Sequence, residues 1–595
     1  MSNSIAPGSS ADINVKVTAL TTNPNVPAQY KTIILKKNLA NGVNTLTQEM
    51  MSNQNTKYVI KYDYTLGEDI TIPAECILEF DGGSINGAYT LTGNNTEIYA
   101  GLVKIFNTDV IITGTWNIIN VYPEWFGAKG VDNDTDAIKK ALILGTGHTV
   151  IFSRSKIYKL YDLAEVFSNT EIIIDGVIDN TLFGCFELFS RTIEHTGYTG
   201  VTNVYIHGNG IFNCNGNLDP DGNIGIATPF RIAHCTNITV EGLTIKDYKY
   251  HCVEISGSKN VCLKNIKFLG NTYNNTFGVN EAIQLERISE GGTVGAIPYD
   301  HTITKDVIID SCIFSPSENS AYMSKAIGSH DGINDPEKSD AKTFSNITIK
   351  NCIFKNMPDV PNDPYVINLD SNYKDVCIKD NIFDNIFEKC IYIGVYTDGV
   401  IIKDNVFQDL EQVAIHISAD SNVDIKSNKF IRCAKYPELV EPVVWNSTVI
   451  KNYRIIDNYV ELANENASKP FHMPSDTYSP SVVFKDNIIA NASILTGNAI
   501  QDFYEQLSRF EYRSESAPIG RNYTLYYTDI NRITTKGPTA NRPKAWFEGQ
   551  GMLSKENNIG IGFTYFDTDL GKPIYVKDID SSHNVIWVDA TGATV

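Results

Sequence analysis

The sequence predicts an all-β protein built as a right-handed parallel β-helix with three strands per coil. A small N-terminal β region, a capping helix and a C-terminal β-rich domain complete it. Three observations carry this expectation. Residues 376–430 repeat one unit three times, as Val376-Cys-Ile-Lys-Asp-Asn-Ile-Phe383, Val400-Ile-Ile-Lys-Asp-Asn-Val-Phe407 and Val423-Asp-Ile-Lys-Ser-Asn-Lys-Phe430, at offsets of 24 and 23 residues. Each unit holds two short strand-like runs, and a third (Ile391-Tyr-Ile393, Ile415-His-Ile417) precedes the next copy. Coil starts fall at Ile238, Val261, Val307, Ile347, Val376, Val400, Val423, Tyr453 and Val482, and an aromatic ring lies seven residues after most of them: Phe268, Phe314, Phe354, Phe383, Phe407 and Phe430. Equal offsets put those rings in one stack at the strand spacing, about 4.8 Å. Five residues after the start, Asn381, Asn405, Asn428, Asn458 and Asn487 form a second column, expected to be a structural ladder that satisfies buried turn amides.

The elements follow in order. Residues 1–45 are polar, with a weak strand signal at 31–35, and read either as a leader or as an arm that attaches the protein to something larger. Residues 46–121 alternate short strands with Gly and Asn turns, which fits a small β-roll or short β-helix. Asp132 or Asp134 can N-cap a helix near 134–144 whose Ala137, Ile138, Ala141 and Leu142 share one face. Such a helix would cover the open first rung of a solenoid spanning 122–497. From 498 to 595 a helical segment, 502–510, leads into aromatic strands, read as a capping and trimerisation domain.

Composition narrows the partners. Net charge is −20, from 49 basic and 69 acidic residues, with no basic run able to track phosphates, so nucleic acid is not an expected partner. The eleven cysteines lack metal-type pairing. Cys312 and Cys352 share a coil position and read as reduced core residues, and neither a metal nor a cofactor is expected. The N-terminus shows no secretory signal, and no apolar run approaches the roughly 18 residues a membrane span needs. The expectation is a soluble protein made in a host cytoplasm, without membrane insertion.

The segment Trp125-Phe-Gly-Ala-Lys-Gly-Val-Asp-Asn-Asp-Thr-Asp-Ala-Ile-Lys-Lys-Ala-Leu142 resembles the motif that opens pectate-lyase-like β-helix proteins, especially bacteriophage tailspikes. The stretches Gly562–Tyr575 and Trp587–Gly592 resemble the terminal segment of tail fibre and tailspike proteins of phages infecting gut anaerobes. The resemblance implies a homotrimer in a virion tail, with the N-terminus toward the tail or baseplate and a host-surface polysaccharide as partner.

Aligned third strands locate candidate chemistry. They read Cys252-Val-Glu-Ile-Ser256, Ala282-Ile-Gln-Leu-Glu286, Ala326-Ile-Gly-Ser-His330, Val366-Ile-Asn-Leu-Asp370 and Ala414-Ile-His-Ile-Ser418. Alternation points the third and fifth residues to solvent. One outward column is then Arg231, Glu254, Gln284, Gly328, Asn368 and His416, and the next is Ser256, Glu286, His330, Asp370 and Ser418. Glu286 and Asp370 should lie about 10 Å apart, and Glu254 and Glu286 about 8 Å, nearer the inverting than the retaining glycosidase spacing. In the catalytic version Glu286 is the general acid, Asp370 or Glu254 the base, and His330 holds the leaving oxygen or the acid's proton. Two long insertions follow Leu285 and Ser329 and carry Tyr299, His301 and Asp331. Together with Gln284, Asn368, His416 and Arg231 these are the candidate substrate contacts. Ser329-His330-Asp331-Gly332 resembles the Ser-His-Gly of polygalacturonases with an Asp inserted, but their Arg-Ile-Lys and paired Asp have no counterpart here. The expected function is recognition, with or without hydrolysis, of a host polysaccharide. The alternatives are a non-enzymatic receptor-binding or structural tail protein, a polysaccharide lyase, and a site shared between subunits.

Overall fold

The computed structural model describes residues 30–40, 42–180, 183–215, 228–271, 281–289, 295–323, 325–329, 344–359, 365–435, 442–448, 450–463, 470–472, 483–489, 536–537, 539, 542, 564–579 and 584–595. The chain forms two compact units, one of residues 1–100 with 111–117, the other of 101–110 with 118–595.

In the first unit, parallel strands repeat at about one per twenty residues: Lys31–Ile34, Thr56–Ile60, Ile77–Phe80 and Thr90–Tyr99 lie side by side in one sheet. Tyr58, Leu78 and Ile98 fall in one register column and are buried. The strand Lys31–Ile34 belongs to this sheet, and the Leu35 that follows it is buried, so part of the expected leader is core. The rest of that segment, 1–29, lies outside the described residues.

The second unit is a right-handed parallel β-helix. The chain visits three long sheets in turn: sheet I has 13 strands, from Asn120–Val121 to Val483–Lys485; sheet II has 12, from Ile157–Leu160 to Ile488–Ile489; sheet III has 11, from Leu163–Glu165 to Phe471–His472. Each strand pairs in parallel with its counterpart one coil away. The aligned starts stack rung on rung, Ile238 on Val261, Val307, Ile347, Val376, Val400, Val423 and Tyr453, while Val482 lies outside the described residues.

The recurring Lys-Asp-Asn and its variants now have a physical reason. Asp380, Asp404, Ser427, Asp457 and Asp486 all take the left-handed conformation, with φ of 55–57°. That single residue turns the chain from sheet I into sheet II, and short polar side chains tolerate it best. The next residue faces the interior. Asn381, Asn405, Asn428, Asn458 and Asn487 are each at most 1% exposed and bond in series, each Nδ2 donating to the next Oδ1 at 2.9–3.0 Å. Each amide also donates to a backbone carbonyl of the preceding coil, such as Ile402 O from Asn428. Cys352 continues the column, its N–H donating to Asn381 Oδ1. The phenylalanines form the expected stack, with centroids 4.6–5.0 Å apart and planes within 11° from Phe268 to Phe430.

The helix spans Thr135–Leu144 and buries Ala137, Ile138, Ala141 and Leu142. Asp134 stands at its N-cap position, but its carboxylate makes no capping bond. It accepts the N–H groups of Lys129, Gly130 and Lys159 instead, pinning the loop before the helix to the strand Ile157–Leu160. Asn133 Oδ1 takes the Thr135 N–H in its place.

At the C-terminus, strands Thr564–Asp567, Lys572–Ile579 and Val585–Val588 form an antiparallel sheet over Tyr565, Ile574, Val576 and Trp587. The expected helix at 502–510 lies outside the described residues. All eleven cysteines are unpaired thiols and nine are buried. Among the described residues, no helix is long and apolar enough to cross a membrane, and no group of three or more His, Cys, Asp or Glu is arranged to hold a metal ion.

Candidate functional site on the third sheet

The outward face of sheet III carries a column of side chains in unbroken register: Glu165, Glu187, Arg231, Glu254, Gln284, Gly328, Asn368, Tyr392, His416, Trp445 and His472. The sequence reading placed Arg231, Glu254, Gln284, Gly328, Asn368 and His416 on it and missed Glu165, Glu187, Tyr392, Trp445 and His472.

Its lower half is ionic and, contrary to the expected solvent exposure, buried. Arg231 lies between two carboxylates, donating to Glu187 Oε1 at 2.9 Å and Glu254 Oε2 at 2.8 Å. Arg191 closes the other side of Glu187 with two bonds, of 2.9 and 2.7 Å. The side chains of Glu187, Arg231 and Glu254 are 4, 12 and 7% exposed. Gln284 and Glu286 are also buried, and Gln284 Nε2 donates to Glu286 Oε1 at 2.9 Å. Burial is the difference from the sequence reading: alternation fixes which way a side chain points, not whether other chain segments fold over it.

Glu281 is a further carboxylate here that sequence reasoning missed. It is fully buried, and a Cβ at position 328 would stand 2.6 Å from its Cγ, so Gly328 leaves its rung open for the Glu281 side chain. A lone glycine in an otherwise side-chain-bearing column was the available signal. Tyr250 lies in the field of this group; burial first, then the charges of Glu254, Glu281 and Glu286, raise its pKa and keep the phenol protonated.

In the second column Ser256 pairs with Glu286. Two strands further on, the pairing of Gln284, Gly328 and Asn368 brings Asp370, which is half-buried, into line with Glu286. His330 and Asp331 lie outside the described residues.

The first insertion folds back onto the scaffold. Tyr299 packs on the cluster of Phe189, Ala233, Ile288 and Ala296. His301 is exposed, with its backbone bonded to Ile288 O. Burial pushes the Asp300 carboxyl up, but N–H groups of Gly197 and Thr302 and the Thr302 hydroxyl outweigh it and hold the group below its ordinary range. The segment thus docks against residues 195–200, an earlier insertion that the alignment, starting at Ile238, did not reach.

The upper half is aromatic. Tyr365 stacks on Tyr392 at 4.8 Å, Tyr392 meets His416 at 5.0 Å, and His416 stacks on Trp445 at 4.3 Å. His416 is 9% exposed, and both its nitrogens are occupied, Nδ1 by the Tyr365 hydroxyl at 2.6 Å and Nε2 by Ser447 Oγ at 3.0 Å. It therefore holds the stack together rather than offering itself to a ligand. Burial, then the Lys389 charge, lowers its pKa to about 4. Between the ordinary value of 6.5 and about 4 the unfolded chain binds a proton that the folded one refuses, so this contribution is whole above that window and lost as pH falls through it. The stability advantage of wild type over His416→Gln is expected to shrink by roughly 3 kcal/mol between about pH 7 and pH 4, measured by urea unfolding.

Comparison with protein-family models agrees with the fold. A family model described as right handed beta helix region matches residues 287–441. Plasmin and fibronectin-binding protein A of Streptococcus pneumoniae is 30% identical over 335 residues, covering 51% of this chain and 44% of that protein. The chain thus spans less than half the length of that curated relative. Among solved structures, PfbA, a surface adhesin of Streptococcus pneumoniae, has a TM-score of 0.47 at 20% identity, covering 60% of this chain and 93% of the other. The tailspike protein of E. coli bacteriophage HK620 in complex with pentasaccharide has a TM-score of 0.41 at 12% identity, covering 63% and 64%. The protein is a right-handed parallel β-helix protein.

Proposed function

We propose that the protein is a receptor-binding β-helix of the phage tailspike kind, which holds a polysaccharide of a host cell surface along the outward face of sheet III. The observation that supports this is the register of that face: its eleven strands lie in line, and its upper part leaves Asn368, Tyr392, Trp445 and His472 partly exposed along four rungs, about 19 Å, a one-dimensional surface suited to a linear polymer. A homotrimer in a virion tail, N-terminal segment toward the particle, belongs to the same reading and rests on the resemblance of residues 125–142 and 562–592.

In the hydrolytic version Glu286 is the acid and Asp370 the base. Two rungs separate them, about 9.6 Å, just beyond the roughly 6.5–9.5 Å of inverting enzymes. Glu254 is the poorer base, because Arg231 occupies it. The test is to incubate the purified protein with capsular polysaccharides from a panel of gut anaerobes, measuring retained polymer and released reducing ends. Retention by wild type supports binding. Ends released by wild type but not by Glu286→Gln support cleavage, whereas full turnover in that variant removes Glu286 from the role. Failure to retain any polymer overturns the whole reading.

One observation favours a second reading, a bacterial surface adhesin for host proteins: the 30% identity to a protein named for binding plasmin and fibronectin. Immobilised plasmin and fibronectin, offered in the same assay, separate the two.

A further inference from the structure

The upper half of sheet III holds a hydrogen-bonded line of side chains that ends at the surface. His416 presents no free nitrogen there, but the group on its Nε2, 3.0 Å away, is the hydroxyl of Ser447, and Ser447 is exposed. Across the ring, the Tyr365 hydroxyl lies 2.6 Å from Nδ1. The Trp445 indole, stacked on the imidazole at 4.3 Å and 6°, fixes the ring plane. Ser418 is buried one rung from Ser447, with the two hydroxyl oxygens 2.6 Å apart. One assignment of protons satisfies the whole line: Ser418 donates to Ser447 Oγ, Ser447 to His416 Nε2, and His416 Nδ1–H to the Tyr365 oxygen. The backbone alternative for the Ser447 proton, Ile417 O, is farther, at 3.4 Å.

A serine bonded to an imidazole whose far nitrogen is held by a third group is the geometry that makes the hydroxyl a nucleophile. It is recognised by roles and distances, whatever the scaffold. The third group here is a phenol, which orients the ring and accepts from the imidazolium without a charge of its own. Burial, then the Lys389 charge, holds His416 at about 4, so the base is weak. A weak base suits an acyl group with an easily displaced oxygen, an ester rather than an amide.

We propose that Ser447 and His416 form an esterase site, with Tyr365 as a positioning residue, that removes short O-acyl groups such as acetyl from a sugar. Ser447 Oγ attacks the carbonyl carbon as its proton passes to His416 Nε2. The bond from that carbon to the sugar oxygen breaks, and the departing oxygen takes the proton from Nε2. Water then attacks the acyl-serine and gives a proton to Nε2, which returns it to Ser447 Oγ as the carboxylic acid leaves. Ester and water become alcohol and acid. The sugar as carrier of the acyl group rests on the polysaccharide-binding reading; the serine chemistry does not.

The test uses the full chain. A fluorophosphonate probe, which reacts with activated serine hydroxyls, is expected to label tryptic peptide 436–451, whose one serine is Ser447. Acetate should be released from p-nitrophenyl acetate and from glucose pentaacetate, about a hundredfold more slowly in Ser447→Ala and His416→Gln. Ser447→Ala should keep the wild-type melting temperature, because the side chain is exposed. Tyr365→Phe keeps the ring and should lower kcat about tenfold at unchanged KM. The acid limb of kcat/KM is expected near pH 4 rather than 6.5. Absent or misplaced labelling, no acetate from either ester, release that survives Ser447→Ala, or an acid limb near 6.5 overturns the site. Cleavage of the nitrophenyl ester alone overturns the sugar ester as its substrate. Esterase activity in a protein that retains no capsular polymer keeps the serine site and removes the polysaccharide reading, and retained polymer without activity does the reverse.

Discussion

Replacing Asn428 with alanine is expected to cost about 3–5 kcal/mol of stability, far more than a surface asparagine would. Asn428 Oδ1 accepts both the backbone N–H and the side-chain Nδ2–H of Asn405, and its own Nδ2 donates to Ile402 O and Asn458 Oδ1. Truncation leaves the Asn405 N–H and an Asn405 amide hydrogen buried without their acceptor, each worth about 1–3 kcal/mol, and takes one donor from the Ile402 carbonyl. Water cannot repair this, because Asn405 and Asn428 are at most 1% exposed. Asn428→Asp tests direction: it keeps the acceptor, loses the donor and places a charge in the column, so it should be at least as damaging. The control has the same chemistry outside: Asn260 Nδ2 donates to Asn237 Oδ1 at 3.1 Å in an exposed ladder, and Asn260→Ala should cost only about 1 kcal/mol, set by the left-handed conformation of that residue (φ 55°) rather than by the lost bond. Urea unfolding followed by circular dichroism compares the three. Equal midpoints for Asn428→Ala and Asn260→Ala would show that the inner ladder contributes nothing beyond what solvent supplies.

The ladder also shows which parts of the molecule the sequence makes legible. Asn428 and Phe430 could be placed in their columns because a solenoid converts sequence offset into register, and register into contact. The same arithmetic put Glu254 beside Arg231 and Asp370 in line with Glu286. Three kinds of information escaped it. Tyr392 and Trp445 were missed because the third-strand alignment skipped their coils, although Ile391-Tyr-Ile393 had already been read as a third strand. Glu187 was missed because the repeats lose their recognisable spacing before Ile238. Burial was missed for a deeper reason: whether Glu286 or Gln284 meets water depends on segments that leave the solenoid, and those have no period to align. Asp134 shows the limit in small, since a residue suited to cap a helix instead ties three backbone amides around the loop before it.

The ion ladder at the foot of sheet III should be the other expensive place to cut. Arg231→Met is expected to cost about 3–5 kcal/mol, because it strands Glu254, a buried carboxylate whose one described cation is Arg231. Glu187 suffers less, since Arg191 still holds it through two bonds. Glu254→Gln should therefore be milder, with Arg231 still paired to Glu187 and a neutral amide in place of the lost charge. The sharper comparison is the triple variant Glu187→Leu, Arg231→Met, Glu254→Leu. Replacing a whole buried ion set with apolar groups of similar size is often neutral or stabilising, since the desolvation penalty disappears with the charges. The triple should thus recover most of what Arg231→Met loses, although Arg191, 41% exposed, then turns to solvent. A triple variant no more stable than Arg231→Met would mean that packing on Phe189, 5.7 Å beneath the guanidinium, and not electrostatics, sets the cost. The outcome bears on function as well. If the charges can be removed without loss of stability or of polymer binding, Arg231 and Glu254 are scaffold, and recognition moves up the face to Asn368, Tyr392 and Trp445. If stability recovers while binding is lost, the ion ladder is part of the recognition surface despite its burial.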